Sequence, residues 1–362
     1  MSENQDITLP VRRGKLQIFL GYAAGVGKTY QMLNAARKLK EQGRDVVIGY
    51  FEPHARLETI AQTEGLEFVP RRVSQWRGAA FEDMDTEGVI ARRPEVAVVD
   101  EFAHTNVPGS ERGKRWQDVA LILDSGIDVL TSLNVQHIES LNDQVLQVTG
   151  IRVRETIPDW VVREASEVVM VDVTPRALLH RLVRGVVYAP EKAAQALENF
   201  FTESNLISLR ELAIRQTAQQ LDGHQLKDRA EAASGTGTDR ILIWLTEHPS
   251  TAMLIRRGRR VADYLGAPCM AVQIRNGTET AEAERHVNFC RNLRIETEVI
   301  DDKKAAGGGE QAVAVADCAR RNGITQLFVT RHAPGLRSLV QRARDIQIII
   351  VADRIAERAR PV

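Results

Sequence analysis

Residues 16–33 read LQIFLGYAAGVGKTYQML, an apolar segment that leads through a glycine-rich turn into a helical one. The apolar residues 16–20 predict a short buried strand, and residues 29–42 predict a helix that Gly43 ends. A glycine-rich turn between a strand and a helix is typical of sites that hold a phosphate chain. The P-loop formula, however, asks for a glycine six residues before the lysine, where this chain has Tyr22.

The pattern of this first strand recurs along the chain. Further apolar, β-branched segments lie at 45–51, 92–101, 126–134 and 167–173, with helical or polar sequence between them. Alternation of this kind predicts an α/β fold in which a parallel sheet is covered by helices on both faces, the doubly wound arrangement. From about residue 174 to 225 the sequence becomes helical and charged, which predicts a helical extension of this domain.

A small-residue stretch, AASGTGTD at 232–239, predicts a domain boundary. The alternation of strands and helices then restarts, with five apolar segments, and predicts a smaller α/β domain. We therefore expect a P-loop NTPase-like domain over residues 12–231 and a second α/β domain over residues 239–354.

Composition limits the class of protein. The 362 residues carry 48 Lys plus Arg and 48 Asp plus Glu, and this balance argues against a general nucleic-acid binder. Apolar runs stay below the roughly 18 residues that a membrane span needs, and the polar N-terminus lacks a signal peptide. The three cysteines lack metal-ligand spacing, so we expect buried or idle thiols and a cytoplasmic location.

The glycine-rich turn carries the residue types that phosphate binding requires. Gly25 and Gly27, with Val26 between them, allow the main chain to wrap so that its N–H groups converge on phosphate oxygens. Lys28 would supply a mobile positive charge, and Thr29 a hydroxyl group for Mg²⁺. The alternative is a tight strand-to-helix turn without a ligand.

Two further strand ends carry polar candidates. Asp100 and Glu101 follow the apolar residues 95–99, and such an aspartate holds Mg²⁺ in P-loop proteins while a following glutamate can orient the attacking water. Asp100 could instead be a surface acid at a strand end. Four polar residues, one of which could contact a γ-phosphate, follow the apolar residues 126–130: Thr131, Asn134, Gln136 and His137. For Asn134 and His137 the alternatives are a helix N-cap and an interface histidine.

Several stretches resemble one known family. GYAAGVGKTYQML, RRPEVAVVDEFAHTNVPGS, KRWQDV and GIDVLTSLNVQHIESLND are similar to the cytoplasmic N-terminal region of the KdpD family, bacterial sensor kinases for potassium limitation and osmotic stress. The resemblance covers about residues 12–225. The family also carries its first glycine seven residues before the lysine, which implies a working variant of the site. It implies binding of ATP by Gly21, Gly25, Gly27, Lys28 and Thr29, and we expect Val26, Tyr30 and Asn134 to belong to the same site.

The resemblance also implies that Thr29 and Asp100 bind Mg²⁺ and that Glu101 is a candidate for water activation. The sequence departs from the family at FEPHAR (residues 51–56), where the residues that flank His54 differ, and this argues against a role for His54. The second domain is similar to universal stress proteins, of the adenine nucleotide α-hydrolase-like fold. It lacks their glycine signature, with Thr330 at the first glycine, so ATP binding is not expected there.

The resemblance implies a sensory module rather than a complete kinase, because this sequence shows no membrane helix, phospho-accepting histidine helix or kinase ATP domain. We expect an ATP-binding regulatory unit that acts through a membrane-bound histidine kinase or a related sensor protein. A homodimer through the stress-protein domain is a further expectation. The alternatives are a stand-alone P-loop ATPase or small-molecule kinase, and a scaffold with a vestigial pocket. The sensed quantity stays open between potassium, ionic strength and a nucleotide.

Overall fold

The structure is a computed structural model that describes residues 12–54, 56–185, 187, 200–230, 239–277, 280–301 and 307–352. The chain forms two compact units. The first comprises the described residues up to Ile138, Gln144–Ile157 and Val161–Leu221, and the second comprises Glu139–Asp143, Pro158–Trp160 and the described residues from Asp222 onward. Residues 232–238 of the expected linker lie outside the described residues.

The first unit is built on a six-stranded sheet in which every pairing is parallel. The strands are β1 (Leu16–Gly21), β2 (Val46–Tyr50), β3 (Glu67–Phe68), β6 (Val96–Val99), β7 (Asp128–Asn134) and β8 (Glu167–Met170). Their order across the sheet is β3-β2-β6-β7-β1-β8. Strands β2 and β6 are buried along their full length, as expected for strands covered on both faces. The order places β1 between β7 and β8, and β6 next to β2.

A separate antiparallel hairpin joins β4 (Arg72–Trp76) to β5 (Ala79–Asp83). The helices that accompany the first sheet or follow it are α1 (Lys28–Glu41), α2 (Leu57–Ala61), α3 (Thr86–Arg92), α4 (Arg115–Asp124), α5 (Asn142–Thr149), α6 (Asp159–Arg163), α7 (Pro175–Val183) and α8 (Glu203–Ala230). Short 3₁₀ turns lie at Val135–His137 and Glu139–Leu141.

The second unit contains a five-stranded parallel sheet of order β11-β10-β9-β12-β13. Its strands are β9 (Ile241–Leu245), β10 (Cys269–Arg275), β11 (Glu296–Asp301), β12 (Gln326–Thr330) and β13 (Gln347–Val351). Its helices are α9 (Thr251–Leu265), α10 (Ala281–Asn292), α11 (Gly308–Arg321) and α12 (Leu336–Arg342). Alternate residues of β9 enter two separate apolar cores, one on each face of the sheet.

The predicted fold class, α/β with two parallel sheets, is confirmed. The hairpin β4–β5 was not expected, because its apolar residues Val73, Trp76 and Phe81 are exposed and do not form the buried runs that sequence patterns reveal. In the described parts of the chain, we find no helix whose length and apolar character would allow it to cross a bilayer.

Candidate functional site

The glycine-rich turn between β1 and α1 has the backbone that its sequence requires. Gly25 has φ of 88° and Gly27 has φ of 104°, in the left-handed region that side chains with a Cβ rarely adopt. Helix α1 then begins at Lys28, so its first main-chain N–H groups point toward the turn. The turn is therefore able to present consecutive N–H groups to an anion.

Gly21 lies at the end of β1 and is needed for a different reason. A Cβ atom on Gly21 would lie 2.6 Å from Val26 Cγ2 and 2.8 Å from Lys28 Cδ. The aliphatic stem of Lys28 thus passes directly over the last residue of the strand. This contact explains why the first glycine of the turn stands seven residues before the lysine.

Tyr22, which occupies the position of the usual first glycine, belongs to the core. Its side chain is fully buried, and its hydroxyl group donates a hydrogen bond to the main-chain oxygen of Val173 at 3.0 Å. Burial raises the pKa of Tyr22 to about 12. Because Val173 follows β8, Tyr22 connects the turn to the neighbouring strand end.

Lys28 places a buried positive charge at the turn. Its side chain is only 8% exposed, and Nζ donates a hydrogen bond to the main-chain oxygen of Ala23 at 3.1 Å. Burial lowers the pKa of Lys28 to about 8, so the ammonium group remains mostly protonated at neutral pH. An anion that approached the turn would therefore meet a preformed positive charge.

Thr29 and Asp100 come together although they are 71 residues apart. The Thr29 hydroxyl lies 3.3 Å from each carboxylate oxygen of Asp100, and the Ser132 hydroxyl donates a second hydrogen bond to the same carboxylate. Asp100 is 1% exposed, and burial raises its pKa. The three residues meet because β1, β7 and β6 are consecutive in the sheet and end at the same edge.

Glu101 has an unusual main-chain conformation, and its side chain contacts His54. Its φ is 55°, in the left-handed region, and its Oε1 lies 3.0 Å from Nε2 of His54, which itself has φ of 45°. This hydrogen bond lowers the pKa of Glu101 and raises the pKa of His54. The sequence argued against a role for His54, whereas the structure places it in direct contact with the acid pair.

Arg115, which the sequence analysis did not single out, lies beneath the acid pair. Its guanidinium group is fully buried, pairs with Asp83 at 2.6 Å and stacks 3.6 Å from the ring centroid of Tyr50. It also donates a hydrogen bond to the main-chain oxygen of Asp100 at 3.3 Å. A buried cation at this point fixes the main chain of Asp100. Its spacing in the sequence gives no signal of this role.

The polar residues predicted at this strand end lie in β7 or in the 3₁₀ turn that follows it. Asn134 pairs with Gly21 in the parallel register of β7 and β1, and its Oδ1 is buried without a hydrogen-bond partner among the described residues. Its side chain does not cap the 3₁₀ turn that follows. The ring of His137 contacts the main-chain oxygen of Glu155 through Nδ1 at 2.7 Å, and Thr131 donates to the main-chain oxygen of Val99.

A cavity of about 630 Å³ opens beside the turn. The expected residues that line it are Gly25, Val26, Gly27, Lys28, Thr29 and Tyr30. Four other expected residues do not line it. Gly21 lies beneath Lys28, and Asn134 lies beside Gly21. Asp100 and Glu101 lie at the end of β6, the strand next to β7.

Two arginines that the sequence analysis did not predict also line this cavity, Arg56 before α2 and Arg181 in α7. Arg181 donates to the main-chain oxygens of Gly25 and Val26 at 3.1 and 3.4 Å. Because C=O and N–H point in opposite directions in a trans peptide, the N–H groups of Val26 and Gly27 face away from Arg181. Arg181 therefore orients the turn.

Comparison with known proteins gives consistent matches. The model of the family described as osmosensitive K⁺ channel His kinase sensor domain, KdpD, matches residues 12–221. A KdpD relative from Synechocystis is 46% identical over 291 residues, which are 80% of this chain and 78% of the relative. The sensor protein KdpD of Mycobacterium tuberculosis is 42% identical over 321 residues, and that of Escherichia coli is 39% identical over 331 residues.

The last two relatives are much longer than the matched region. The match covers 88% of this chain against the M. tuberculosis protein and 90% against the E. coli protein, but only 37% of either relative. Among solved structures, a universal stress protein family member from Burkholderia pseudomallei covers 32% of this chain and 98% of its own at 13% identity. Its TM-score of 0.26 is too low to assign the fold of the second unit, so the stress-protein fold stays a prediction.

Proposed function

The chain belongs to the KdpD family of osmosensitive K⁺ channel His kinase sensor domains, and on this basis we propose that its first unit is an ATP- and Mg²⁺-binding regulatory module. The module acts in potassium or osmotic-stress signalling, on the cytoplasmic side of the membrane, through a partner histidine kinase. The bound nucleotide shifts the module between conformations by binding one of them more tightly.

One observation carries the proposal. The hydroxyl of Thr29 lies 3.3 Å from both oxygens of the buried Asp100, directly after the glycine turn and the buried ammonium group of Lys28. An anion-binding turn, a cation and a carboxylate with a hydroxyl are the parts from which nucleotide sites are built. A structural turn alone would explain neither the buried lysine nor the buried aspartate.

The donor groups fit Mg²⁺. Thr29 and Asp100 offer oxygen atoms, which Mg²⁺ prefers, and the buried carboxylate gains from a neighbouring positive charge. Bound there, Mg²⁺ would supply positive charge that neutralises phosphate oxygens. Ser132 and Arg115 would keep the carboxylate and the main chain of Asp100 in place.

The proposal is tested by titration of Mg·ATP into the wild-type protein and the Lys28→Ala variant, followed by calorimetry. We expect the variant to bind at least about tenfold more weakly, since hydrogen bonds to charged groups contribute about 1.5–3 kcal/mol. The matched control is Lys38→Ala, an exposed lysine of the same helix. Equal affinity of the wild type and Lys28→Ala would remove the turn from the proposed function.

A second measurement distinguishes a switch from an ATPase. Glu101 follows Asp100 directly and is about one-third exposed, so it could orient water if hydrolysis occurs. Retention of ATP with no sustained turnover supports the regulatory module. Sustained hydrolysis that is lost in Glu101→Gln supports the alternative, a P-loop ATPase.

A further inference from the structure

The loop that follows β2 brings two side chains to the candidate site. His54 contacts Glu101, and Arg56, two residues later, lines the cavity together with Lys28. The loop can reach both because β2 lies next to β6 in the sheet, so that the carboxyl ends of the two strands are neighbours. The sequence analysis gave neither residue a role.

Arg56 is partly buried, and its guanidinium group contacts the lining of the cavity. Its Nη2 donates a hydrogen bond of 3.3 Å to the main-chain oxygen of Val187, a residue that also lines the cavity. Burial is the main cause of the lowered pKa of Lys28, and the positive charge of Arg56 lowers it further, as expected for two cations that line one cavity. A phosphate group between them would relieve this repulsion.

The charges that line the cavity are unevenly matched. Its cationic side chains are those of Lys28, Arg56 and Arg181, and its carboxylates are those of Glu58 and Asp172. Arg210 donates two hydrogen bonds of 2.8 and 3.0 Å from its Nε to Asp172. The negative charge of this carboxylate is therefore already balanced by a cation. The net positive charge of the lining suits a polyanion.

The sheet order gives the cavity a direction. Val171, Asp172 and Val173 follow β8, on one side of β1, while Arg56 comes from the loop after β2, on the other side, beyond β7 and β6. The glycine turn lies between these two ends. A nucleotide whose inner phosphates rest on the turn would place its nucleoside toward β8 and its terminal phosphate toward β2.

We propose that Arg56 binds the terminal phosphate of the nucleotide and thereby distinguishes a nucleoside triphosphate from a diphosphate. The inference rests on the proposed function of the same site. A guanidinium group forms stronger, charge-assisted hydrogen bonds with phosphate oxygens than with a neutral carbonyl oxygen. A triphosphate therefore draws Arg56 from Val187, whereas a diphosphate leaves that bond intact.

This exchange gives the nucleotide state a structural consequence. Val187 lies shortly after α7, and α7 carries Arg181, which holds the carbonyl groups of the glycine turn. Loss of this hydrogen bond would change the contacts of the Val187 carbonyl group only when a triphosphate is bound. The hydrogen bond between Arg56 and Val187 is thus the element that a triphosphate and a diphosphate affect differently.

The experiment compares the affinities for two ligands, the magnesium complexes of the β,γ-imido analogue of ATP and of ADP, by calorimetric titration. We expect Arg56→Ala to weaken binding of the triphosphate analogue by about tenfold or more and to change ADP affinity less than about twofold. Arg56→Lys keeps the charge but loses the planar fork, so it should fall between the wild type and Arg56→Ala. The matched control is Arg184→Ala, an exposed arginine outside the cavity lining.

The outcomes separate the two proposals. A wild-type protein that binds neither ligand contradicts the proposed function of the site and this inference with it. If the wild type binds both ligands, and Arg56→Ala weakens them equally or leaves both unchanged, Arg56 does not bind the terminal phosphate, whereas the proposed function stands. Thermal unfolding of each variant verifies that the affinities are measured on folded protein.

Discussion

Substitution of Gly21 by alanine tests why the first glycine of the turn stands one position earlier than the P-loop formula predicts. The added Cβ would lie 2.6 Å from Val26 Cγ2, 2.8 Å from Lys28 Cδ and 2.9 Å from Lys28 Cγ, all closer than such atoms normally approach. Both side chains are buried, so a shift of either one disturbs the packing at the end of β1. Overpacking of this kind costs about 1–3 kcal/mol.

For a unit of this size, such a loss lowers the melting temperature by about 2–4 °C for each kcal/mol. The displaced stem of Lys28 also shifts Nζ from its present position, so we expect affinity for Mg·ATP to fall by about tenfold. The assays are thermal unfolding and calorimetric titration of the same samples. Gly113→Ala is the matched control, because a Cβ there meets no atom within 4 Å.

A Gly21→Ala variant that keeps both the wild-type melting temperature and the wild-type affinity would refute the reasoning. It would mean that Lys28 does not need the path that it takes over the end of β1. A loss of stability without a loss of affinity would refute only the link between the position of the stem and phosphate binding.

Three further expectations follow from individual contacts. Tyr22→Phe removes the donor to the Val173 carbonyl group and should cost about 1 kcal/mol in urea unfolding, with ATP affinity unchanged; a large loss of affinity would contradict this. Arg181→Ala frees the carbonyl groups of the glycine turn and should weaken ATP and ADP by the same factor in titration, unlike Arg56→Ala; a selective loss of ATP would contradict this. Burial lowers the pKa of His286, and the hydrogen bond to the Thr246 carbonyl group and the carboxylate of Glu282, 3.5 Å away, offset this only in part. As the pH falls, the unfolded chain therefore binds the proton at a higher pH than the folded chain does. The contribution of neutral His286 to stability is complete above about pH 6.5 and is lost as the pH falls below that value. Urea unfolding from pH 7.5 to 5 should show a smaller loss for His286→Asn than for the wild type, and equal losses would contradict the reasoning.

Sequence patterns predicted the parts of the fold that are regular and buried. The strands at 16–20, 45–51 and 126–134 were expected because valine, isoleucine and leucine form short continuous runs in strands that are covered on both faces. The hairpin β4–β5 was missed because it lies largely outside the core, where the apolar pattern is weak. The other strands could be predicted because burial on both faces requires continuous apolar sequence, which strand propensity alone does not.

The same distinction applies to the candidate site. The spacing of Gly25, Gly27, Lys28 and Thr29 is local, so the sequence alone could predict that they share one turn. The sequence analysis assigned Thr29 and Asp100 to one Mg²⁺ site from the P-loop pattern, and the structure brings their side chains together. Binding of ATP and Mg²⁺ by these residues stays a prediction.

The arginines could not be found in this way. Arg56, Arg115 and Arg181 reach the site from a loop and two helices that are far apart in sequence, and each contact depends on tertiary packing. His54 was considered in the sequence analysis but was wrongly given no place near the site. The residues that flank it depart from the family pattern, yet its ring lies 3.0 Å from Glu101, because position in the sheet rather than local sequence brings them together.

The central claim is that the turn at residues 25–29, together with Asp100, holds a triphosphate and its divalent ion. The most direct measurement is a crystal structure of the chain grown with the β,γ-imido analogue of ATP and Mn²⁺, in which anomalous scattering locates the metal. We predict the phosphate chain along the turn and a manganese peak between Thr29 and Asp100. A saturated complex with the nucleotide or the metal at another place would contradict the account.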